Sequence, residues 1–228
     1  MLVKEILNPL QEGPNDPHIF KAVFLSGGPG SGKSFVAGKM IRGSGLKTVN
    51  SDEIYEYLAN KENFDLSDPE KVASDQGQEM RDRAKSLTKS REKIYIDGRL
   101  GLVIDGTGKD VEKVKQTNLK LQALGYDTMM LFVNTSEDVA QERNKQRARQ
   151  LDSKMVSKMW HSVQQNIMKF QQIFGAAHFH IIDNSGGLED PDRKQNFEKV
   201  YKNIKNFLEQ KPERSMAKRW LDQQSKQK

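Results

Sequence analysis

The sequence predicts an α/β fold, a doubly wound parallel sheet of five strands with helices on both faces. Five short apolar runs alternate with stretches of helical periodicity, an order typical of parallel sheets that are covered on both sides. The 228 residues are enough for one sizeable core. Ligands of such sheets bind beyond the carboxyl ends of the strands, so the polar residues that end the apolar runs mark the expected site.

The five predicted strands are short apolar runs with polar residues or glycine at their ends. They span residues 21–27, 46–52, 100–108, 128–134 and 178–183. The residues expected at their carboxyl ends are Gly27, Asp52, Asp105, Asn134 and Asp183.

Helical patterns fill the intervals between the strands. The sequence predicts helices over 32–41, 67–96, 110–125, 136–150 and 153–174, and a last core helix across 197–208. Ser67 is expected to cap the long polar helix, with Pro69 in its first turn and Glu70 completing a capping box. Ser136 is expected to cap its own helix. The apolar stripe of 153–174 indicates core rather than a cofactor pocket.

The chain is expected to form one domain with irregular ends. Residues 1–20 carry three prolines and turn pairs such as Gly13-Pro14, which predict an irregular arm. Residues 21–210 hold all the predicted strands and core helices. Residues 211–228 are basic and rich in glutamine, which predicts a flexible tail.

The composition excludes several classes of protein and site. The chain has no cysteine, so it forms no disulfide and no thiolate metal site. No run approaches the roughly 20 apolar residues of a membrane span, and the first 18 residues lack the apolar stretch of a signal peptide. We therefore expect a cytoplasmic protein with no membrane partner. The net charge of +6 favours anionic partners without choosing among them.

The segment Gly27–Ser34 fits the phosphate-binding pattern G-x-x-x-x-G-K-[ST] at every fixed position, and it lies between a predicted strand and a predicted helix. Its glycines let backbone N–H groups turn toward phosphates, and the helix adds its positive end. Lys33 is expected to reach the β- and γ-phosphates of ATP, and the Ser34 hydroxyl to ligate Mg²⁺. The residues predicted to bind ATP here are Gly28, Gly30, Ser31, Gly32, Lys33, Ser34 and Phe35.

Asp52, at the end of the second strand, is expected beside this loop. A kinase needs a carboxylate there to orient and deprotonate the acceptor hydroxyl. The structural alternative is that Asp52 caps the helix that follows, although Ser51 could cap it instead.

Asp105 ends the third strand, in the stretch "LVIDGTG". Such a carboxylate can hold Mg²⁺ or contact the acceptor, and Thr107 is expected to touch substrate. The alternative is a plain Asp-Gly turn that ends a strand.

Arg143 and Arg147 lie four residues apart on the predicted 136–150 helix, with Arg149 close behind. Arginines brought over a γ-phosphate stabilise the charge of phosphoryl transfer, so we expect a lid with Arg143 and Arg147 catalytic and Arg149 on the substrate. The alternative is a solvated basic helix.

The order of P-loop, strand-end Asp52, "IDGTG" and "RNKQR" resembles the P-loop kinase group that contains phage polynucleotide kinases and zeta-toxin kinases, over roughly residues 20–185. The resemblance implies an ATP- and Mg²⁺-dependent kinase domain, with Asp52 as general base. It implies acceptor-side or magnesium-side roles for Asp105 and Thr107. It also implies that the loop Asp183–Gly186 lies near the adenine, which assigns Asn184 to ATP binding.

The resemblance leaves the acceptor open. The leading expectation is a polynucleotide 5′-hydroxyl or a nucleotide-like small molecule, and a UDP-sugar is the second. Arg81, on the long polar helix, is a candidate contact for such an anionic acceptor, although a solvated charge is the plainer interpretation. The rival classes are a P-loop ATPase or nucleic-acid-binding switch, and a degenerate nucleotide-binding module. His178 and His180 lack a third ligand, so no metal other than Mg²⁺ is expected.

Overall fold

The computed structural model describes residues 18–41, 43–146, 150–187 and 189–226. The strands of this part of the chain are β1 Lys21–Ser26, β2 Lys47–Val49, β3 Leu102–Asp105, β4 Asp127–Asn134 and β5 Phe179–Asp183. Its helices are α1 Lys33–Met40, α2 Ser51–Lys61, α3 Pro69–Ala73, α4 Asp75–Asp97, α5 Val111–Ala123, α6 Glu137–Lys145, α7 Ser153–Gln164, α8 Ile167–Phe174, α9 Pro191–Glu209 and α10 Ser215–Ser225.

The strands form one parallel sheet in the order β2-β3-β1-β4-β5, which confirms the predicted fold class. β1 is central, with Val23 beside Val103 of β3 and Met129 of β4. From β1 the chain passes to β2 at one edge, returns to place β3 between β2 and β1, and then crosses to β4 and β5 on the other side. The crevice where ligands bind in such sheets therefore opens at the carboxyl end of β1.

Apolar side chains cover both faces of the sheet. Along β1, Ala22 and Phe24 belong to one buried cluster, and Val23 and Leu25 belong to the other. Successive side chains of a strand point to opposite faces, so this alternation requires cores on both sides. Within the described ranges, no helix is long and apolar enough to cross a membrane.

The long helix predicted over 67–96 is in fact two helices, α3 and α4, that meet at Ser74. The Ser74 hydroxyl donates to the carbonyl of Lys71 at 2.6 Å and accepts from the N–H of Gly77 at 3.3 Å. A Cβ at Gly77 would come within 2.6 Å of two carbonyls at the end of α3, so glycine permits the close junction. The predicted cap was wrong by one residue, because Asp68 rather than Ser67 caps α3.

The predicted 153–174 helix is also divided, into α7 and α8, which meet at Asn166. The side chain of Asn166 donates to the carbonyls of Gly108 and Lys109, at 3.0 Å and 3.1 Å. The expected core role of the stripe is confirmed, because Val156, Val163 and Phe170 are buried.

The chain after residue 210 forms a helix where the sequence predicts a flexible tail. α10 buries Ala217 and brings the Trp220 ring to 5.5 Å from the ring of Phe20. Phe20, from the predicted arm, is itself buried and packs edge-on against Tyr126. The tail prediction is therefore wrong for 215–225, because apolar contacts with the start of β1 offset the polar composition of α10.

Candidate active site

The P-loop joins β1 to α1 at the centre of the sheet. Lys33 donates from Nζ to the carbonyl of Gly27 at 2.8 Å, so the lysine side chain folds back along the loop. Gly30 and Gly32 have φ values of 74° and 86°, in the left-handed region that glycine adopts without strain. A Cβ at Gly30 would also lie 2.5 Å from the carbonyl oxygen of Ala140 on α6. The glycines of the motif therefore serve both the turn and its packing.

Asn184, predicted to bind ATP, and Arg143, predicted to belong to the lid, both hydrogen-bond to the backbone of this loop. Asn184, which is buried, donates from Nδ2 to the carbonyl of Ser31 at 2.7 Å. Arg143 donates to the carbonyl of Gly30 at 3.3 Å and to that of Asn184 at 2.9 Å. A Cβ at Gly32 would collide with the Asn184 amide. The loop after β5 and the end of α6 thus hold the outer side of the P-loop.

Arg193 also holds this side of the P-loop, and the sequence alone did not predict it. Its guanidinium donates to Oδ1 of Asn184 at 2.6 Å and lies over the neighbouring rings of Phe35 and Phe197, at 5.6 Å and 5.1 Å. Burial, together with the charge of Arg193, lowers the pKa of Arg143. No local pattern separates Arg193 from the many exposed basic residues, so only the fold reveals it.

The segments that carry the two predicted carboxylates are joined by Asn50, another residue that was not predicted from the sequence. Asn50 caps α2: its Oδ1 accepts from the backbone N–H of Asp52 at 2.7 Å. Its Nδ2 donates to Oδ2 of Asp105 at 2.8 Å. Neither Asp52 nor Ser51 is the cap, so the exposed Asp52 carboxylate is not used to begin the helix.

Asp105 lies in a partly buried, charged environment. Burial raises the pKa of its carboxyl group, Lys33 and the Asn50 hydrogen bond lower it, and Asp52 raises it further. Burial and the nearby Asp105 also raise the pKa of Glu53. The Oδ1 atom of Asp105 is buried and has no hydrogen-bond partner in the described part of the chain. A buried carboxylate oxygen of this kind is suited to a cation or a substrate group.

Two cavities meet at Asp105. The first, here called the P-loop cavity, measures about 570 Å³, and its polar lining consists of Lys33, Ser34, Thr48, Asn50, Asp52, Glu53, Glu56 and Asp105. Apolar and small residues of β1, α1, the segment after α1, and β3 complete it. The second, here called the β3 cavity, measures about 380 Å³. Its polar lining consists of Ser26, Ser51, Glu92, Asp105, Thr107, Lys109, Asp110, Lys113 and Thr117.

Of the remaining predicted residues, some line a cavity and others do not. Thr107 lines the β3 cavity, as a substrate contact would. Arg81 instead lies over the ring of Tyr55, at 4.7 Å, in the contact between α2 and α4, and it lines neither cavity. Arg147 and Arg149 lie outside the described residues. The structure therefore brings together the P-loop, Asp52, Asp105 and Thr107, and it leaves Arg81 apart.

Ser34 and Asp105 are the residues that fit the Mg²⁺ of a P-loop protein. Both line the P-loop cavity, and the unpartnered oxygen of Asp105 is a hard ligand of the kind that Mg²⁺ prefers. Over the described ranges, no three acidic or histidine side chains converge to hold an ion by themselves. Magnesium at such a site takes most of its ligands from phosphate oxygens and water.

A parallel sheet with this loop at the end of its central strand defines the P-loop NTPase fold. Residues 23–170 match the model of an AAA domain family, AAA_33, over more than half of the chain. The protein belongs to this AAA domain family. No curated protein matches the chain.

Several solved structures share the fold at low sequence identity. One is from the PezAT chromosomal toxin–antitoxin system of Streptococcus pneumoniae, with a TM-score of 0.57, 16% identity and coverage of 91% of this chain and 94% of that chain. Another is the AvrRxo1-ORF1:AvrRxo1-ORF2 complex with ATP, with a TM-score of 0.56, 15% identity and coverage of 90% and 80%.

A third is the Pnkp1/Rnl/Hen1 RNA repair complex, with a TM-score of 0.52, 20% identity and coverage of 68% of this chain and 48% of that chain. The present chain thus corresponds to about half of that larger one. These likenesses establish the fold, and the narrower resemblance to polynucleotide and zeta-toxin kinases stays a prediction.

Proposed function

We propose that the protein is an ATP-dependent phosphotransferase that moves the γ-phosphate of ATP to an alcohol hydroxyl. The observation that carries the proposal is the pair Asp52 and Asp105, which line one cavity with Lys33 and Ser34. Nucleotide binding alone requires the P-loop. Transfer to a hydroxyl also requires a carboxylate near the γ-phosphate that can accept the hydroxyl proton. Asp52 can serve because its side chain is exposed and does not cap a helix.

The chemistry follows from these positions. The backbone N–H groups of the P-loop and the Lys33 ammonium would hold the phosphates of ATP. Asp52 would orient the acceptor hydroxyl and take its proton while the acceptor oxygen bonds to the γ-phosphorus. The bond from that phosphorus to the β-phosphate oxygen breaks, and ADP leaves. Mg²⁺, held by Ser34 and Asp105, would supply positive charge to the phosphate oxygens.

The proposed lid role of Arg143 differs from the contacts that its side chain makes in the structure. Arg143 contacts the carbonyls of Gly30 and Asn184, so its guanidinium braces the P-loop in this state. Direct neutralisation of the γ-phosphate by Arg143 would require it to leave those carbonyls. Arg147 and Arg149 keep their proposed lid and substrate roles on the sequence pattern alone.

The charges of the two cavities favour the β3 cavity for the acceptor. In the P-loop cavity, Asp52, Glu53, Glu56 and Asp105 outnumber Lys33, so a phosphate-bearing acceptor would be repelled there. In the β3 cavity Lys109 and Lys113 offset two of the three acids, so the excess of negative charge is smaller there, and the volume suits a nucleoside-sized group. Asp105 lines both cavities and lies where acceptor and ATP would meet.

These features support a polynucleotide 5′-end or a nucleotide-like small molecule as acceptor. The hydroxyls of Ser26, Thr107 and Thr117 offer hydrogen bonds to a sugar, and Lys109 and Lys113 offer charge to an adjoining phosphate. The same features admit a UDP-sugar, the second candidate within the class. A P-loop ATPase or switch is the rival class. A protein of that class has no acceptor, so it would not need the β3 cavity beside Asp105.

The test is a transfer assay with γ-labelled ATP, Mg²⁺ and three acceptor pools: 5′-hydroxyl oligonucleotides, nucleosides with nucleotides, and UDP-sugars. We expect label in the first or second pool, and label that appears at least about 100-fold more slowly with the Asp52→Asn variant. Label in UDP-sugars alone would establish the second candidate. Free phosphate that no pool changes would overturn the proposal in favour of the ATPase or switch.

Lys113→Ala is expected to raise the KM for a phosphate-bearing acceptor while the KM for ATP stays unchanged. An exposed charge contact with a phosphate contributes about 1 kcal/mol or less, so the expected rise is up to about fivefold and is smaller at high salt. Lys115→Ala is the matched control: Lys115 is also exposed on α5 but does not line the cavity. Equal effects of the two substitutions would contradict an acceptor phosphate beside Lys113.

A further inference from the structure

The side-chain amide of Asn50 contacts both carboxylate-bearing segments of the site. It lies between β2 and α2, and one end of the amide accepts from the N–H of Asp52 while the other donates to the carboxylate of Asp105. The two hydrogen bonds measure 2.7 Å and 2.8 Å, which is short for bonds of this type.

The orientation of this amide is fixed by the chemistry of its partners. The backbone N–H of Asp52 can only donate, so it requires the Asn50 oxygen. The ionised carboxylate of Asp105 can only accept, so it requires the Asn50 nitrogen. Because the amide group is planar and rigid, holding one end determines the direction of the other. The first turn of α2 and the carboxylate of Asp105 are therefore held relative to one another through a single side chain.

The contact also leaves a specific atom available. Asn50 holds Oδ2 of Asp105, and the second oxygen, Oδ1, is the buried atom without a hydrogen-bond partner in the part of the chain that the structure describes. A carboxylate held at one oxygen presents the other in a defined direction. Such partners are known to orient carboxylates that act on metals or substrates.

We propose that Asn50 is a positioning residue for phosphoryl transfer, which holds the Asp105 carboxylate in place relative to Asp52 at the start of α2. The proposal rests on the proposed function and extends it, because it assigns a catalytic consequence to a residue that acts through the Asp105 carboxylate. The simpler account is that Asn50 is only the N-cap of α2.

The two accounts differ because an N-cap needs an acceptor, whereas the Asp105 contact needs a donor. Asparagine, aspartate and serine are about equally good N-caps. Asn50→Ser and Asn50→Asp therefore keep an acceptor for the N–H of Asp52. The serine hydroxyl can donate, but its oxygen lies one bond closer to the backbone than the asparagine nitrogen, so we expect it not to reach Asp105 while it caps α2. The aspartate has no donor when ionised and adds a charge that repels Asp105. Asn50→Ala removes both contacts.

The experiment compares the full-length variants in three measurements: the midpoint of urea unfolding, the affinity for ATP, and kcat and KM in the transfer assay. For Asn50→Ser we expect a midpoint and an ATP affinity close to wild type. Asn50→Asp adds a negative charge beside Asp105 in the P-loop cavity, so we expect a lower midpoint and weaker ATP binding than in Asn50→Ser. For both variants we expect kcat to fall about 10- to 100-fold, the range found when a residue that hydrogen-bonds a metal-ligating side chain is replaced. Asn50→Ala should lower both the midpoint and kcat.

A cap at another place provides the matched control. Asp68 caps α3 through the N–H groups of Glu70 and Lys71, and it lines neither cavity. Asp68→Ala should therefore lower the urea midpoint without changing kcat. A parallel loss of kcat would mean that helix fraying alone reduces turnover.

The outcomes separate this proposal from the one on which it rests. Wild-type kcat in Asn50→Ser and Asn50→Asp would overturn the positioning role and leave the phosphotransferase intact. If Asn50→Asp does not fold, Asn50→Ser decides alone, since it adds no charge. A wild-type protein that labels no acceptor would overturn the proposed function, and the role of Asn50 with it.

Discussion

Asp52→Asn is expected to lower the rate of phosphoryl transfer by about 10²- to 10⁴-fold while the protein still binds ATP and unfolds as wild type does. The structure separates these effects. The cap of α2 is Asn50, and Asp52 contributes only its backbone N–H to that cap, which any residue provides. The Asp52 side chain is exposed at the edge of the P-loop cavity, so replacing a carboxylate with an amide leaves the packing unchanged.

The size of the loss follows from the proton that must leave the acceptor hydroxyl. An alcohol bonds poorly to phosphorus unless a base accepts its proton as the bond forms. The asparagine amide has nearly the shape of the carboxylate but does not accept a proton at neutral pH. Substrate binding should persist, and kcat should carry nearly all of the change.

Glu56→Gln is the matched control for Asp52→Asn. Glu56 lies one turn further along α2, is exposed and lines the same cavity. The substitution removes one negative charge from the cavity without removing the proposed base, so kcat should stay within a few-fold of wild type. Full activity in Asp52→Asn would exclude Asp52 as the base. A loss of ATP affinity in Asp52→Asn would show that the residue acts on the nucleotide.

The sequence predicted the parts of the fold and site that depend on neighbouring residues. The P-loop pattern, the Ser136 cap and the ends of β3 and β5 are local features, since each requires only a strand or helix signal beside particular residues. Parallel strands then bring their carboxyl ends to one edge of the sheet. That rule was enough to anticipate that Asp52 and Asp105 lie near one another.

The parts that the sequence did not predict depend on contacts between distant residues. Arg193 is significant because the fold brings Asn184 and two aromatic rings to it. In the sequence, nothing distinguishes Asn50 from other polar residues at strand ends. Its role depends on the contact with Asp105, which lies 55 residues later in the chain. α10 has a polar composition, and it packs because the fold brings Phe20 and the rest of one core cluster to Trp220 and Ala217. Periodicity contains no information on such partners.

The second large effect is expected at the opposite end of the sheet, where Asp127→Ala should lower the free energy of unfolding by about 3–5 kcal/mol. Lys21 and Asp127 begin β1 and β4, lie side by side in the sheet, and form an ion pair at 2.9 Å. The Lys21 side chain is 2% exposed and lies over the ring of Phe207, at 4.8 Å. Removing the carboxylate would leave a buried ammonium without its counter-charge.

The same carboxylate also holds the C-terminal region. Asp127 accepts from the backbone N–H of Glu213 at 3.0 Å, just before α10 begins. Asp127→Ala should therefore loosen α10 as well as strand β1. For a chain of this size, the melting temperature should fall by roughly 6–20 °C, at about 2–4 °C per kcal/mol. Thermal and urea unfolding measure both quantities.

Asp97→Ala is the control, because it breaks the exposed Lys93–Asp97 pair, in which both side chains are more than half exposed. Such a pair contributes about 1 kcal/mol or less. The double substitution Lys21→Met with Asp127→Leu should recover much of the loss, since apolar residues of similar volume often replace a buried pair without cost.

Because the Lys21–Asp127 pair lies at the amino ends of the strands, the two large effects should separate completely. Asp127→Ala should reduce stability but leave kcat unchanged at temperatures where the protein is folded, which is the reverse of Asp52→Asn. A small loss of stability in Asp127→Ala would mean that Lys21 reaches water when its partner is removed, as long lysine side chains can. A fall in kcat at low temperature would instead mean that the strand ends at the active site depend on how β1 and β4 begin.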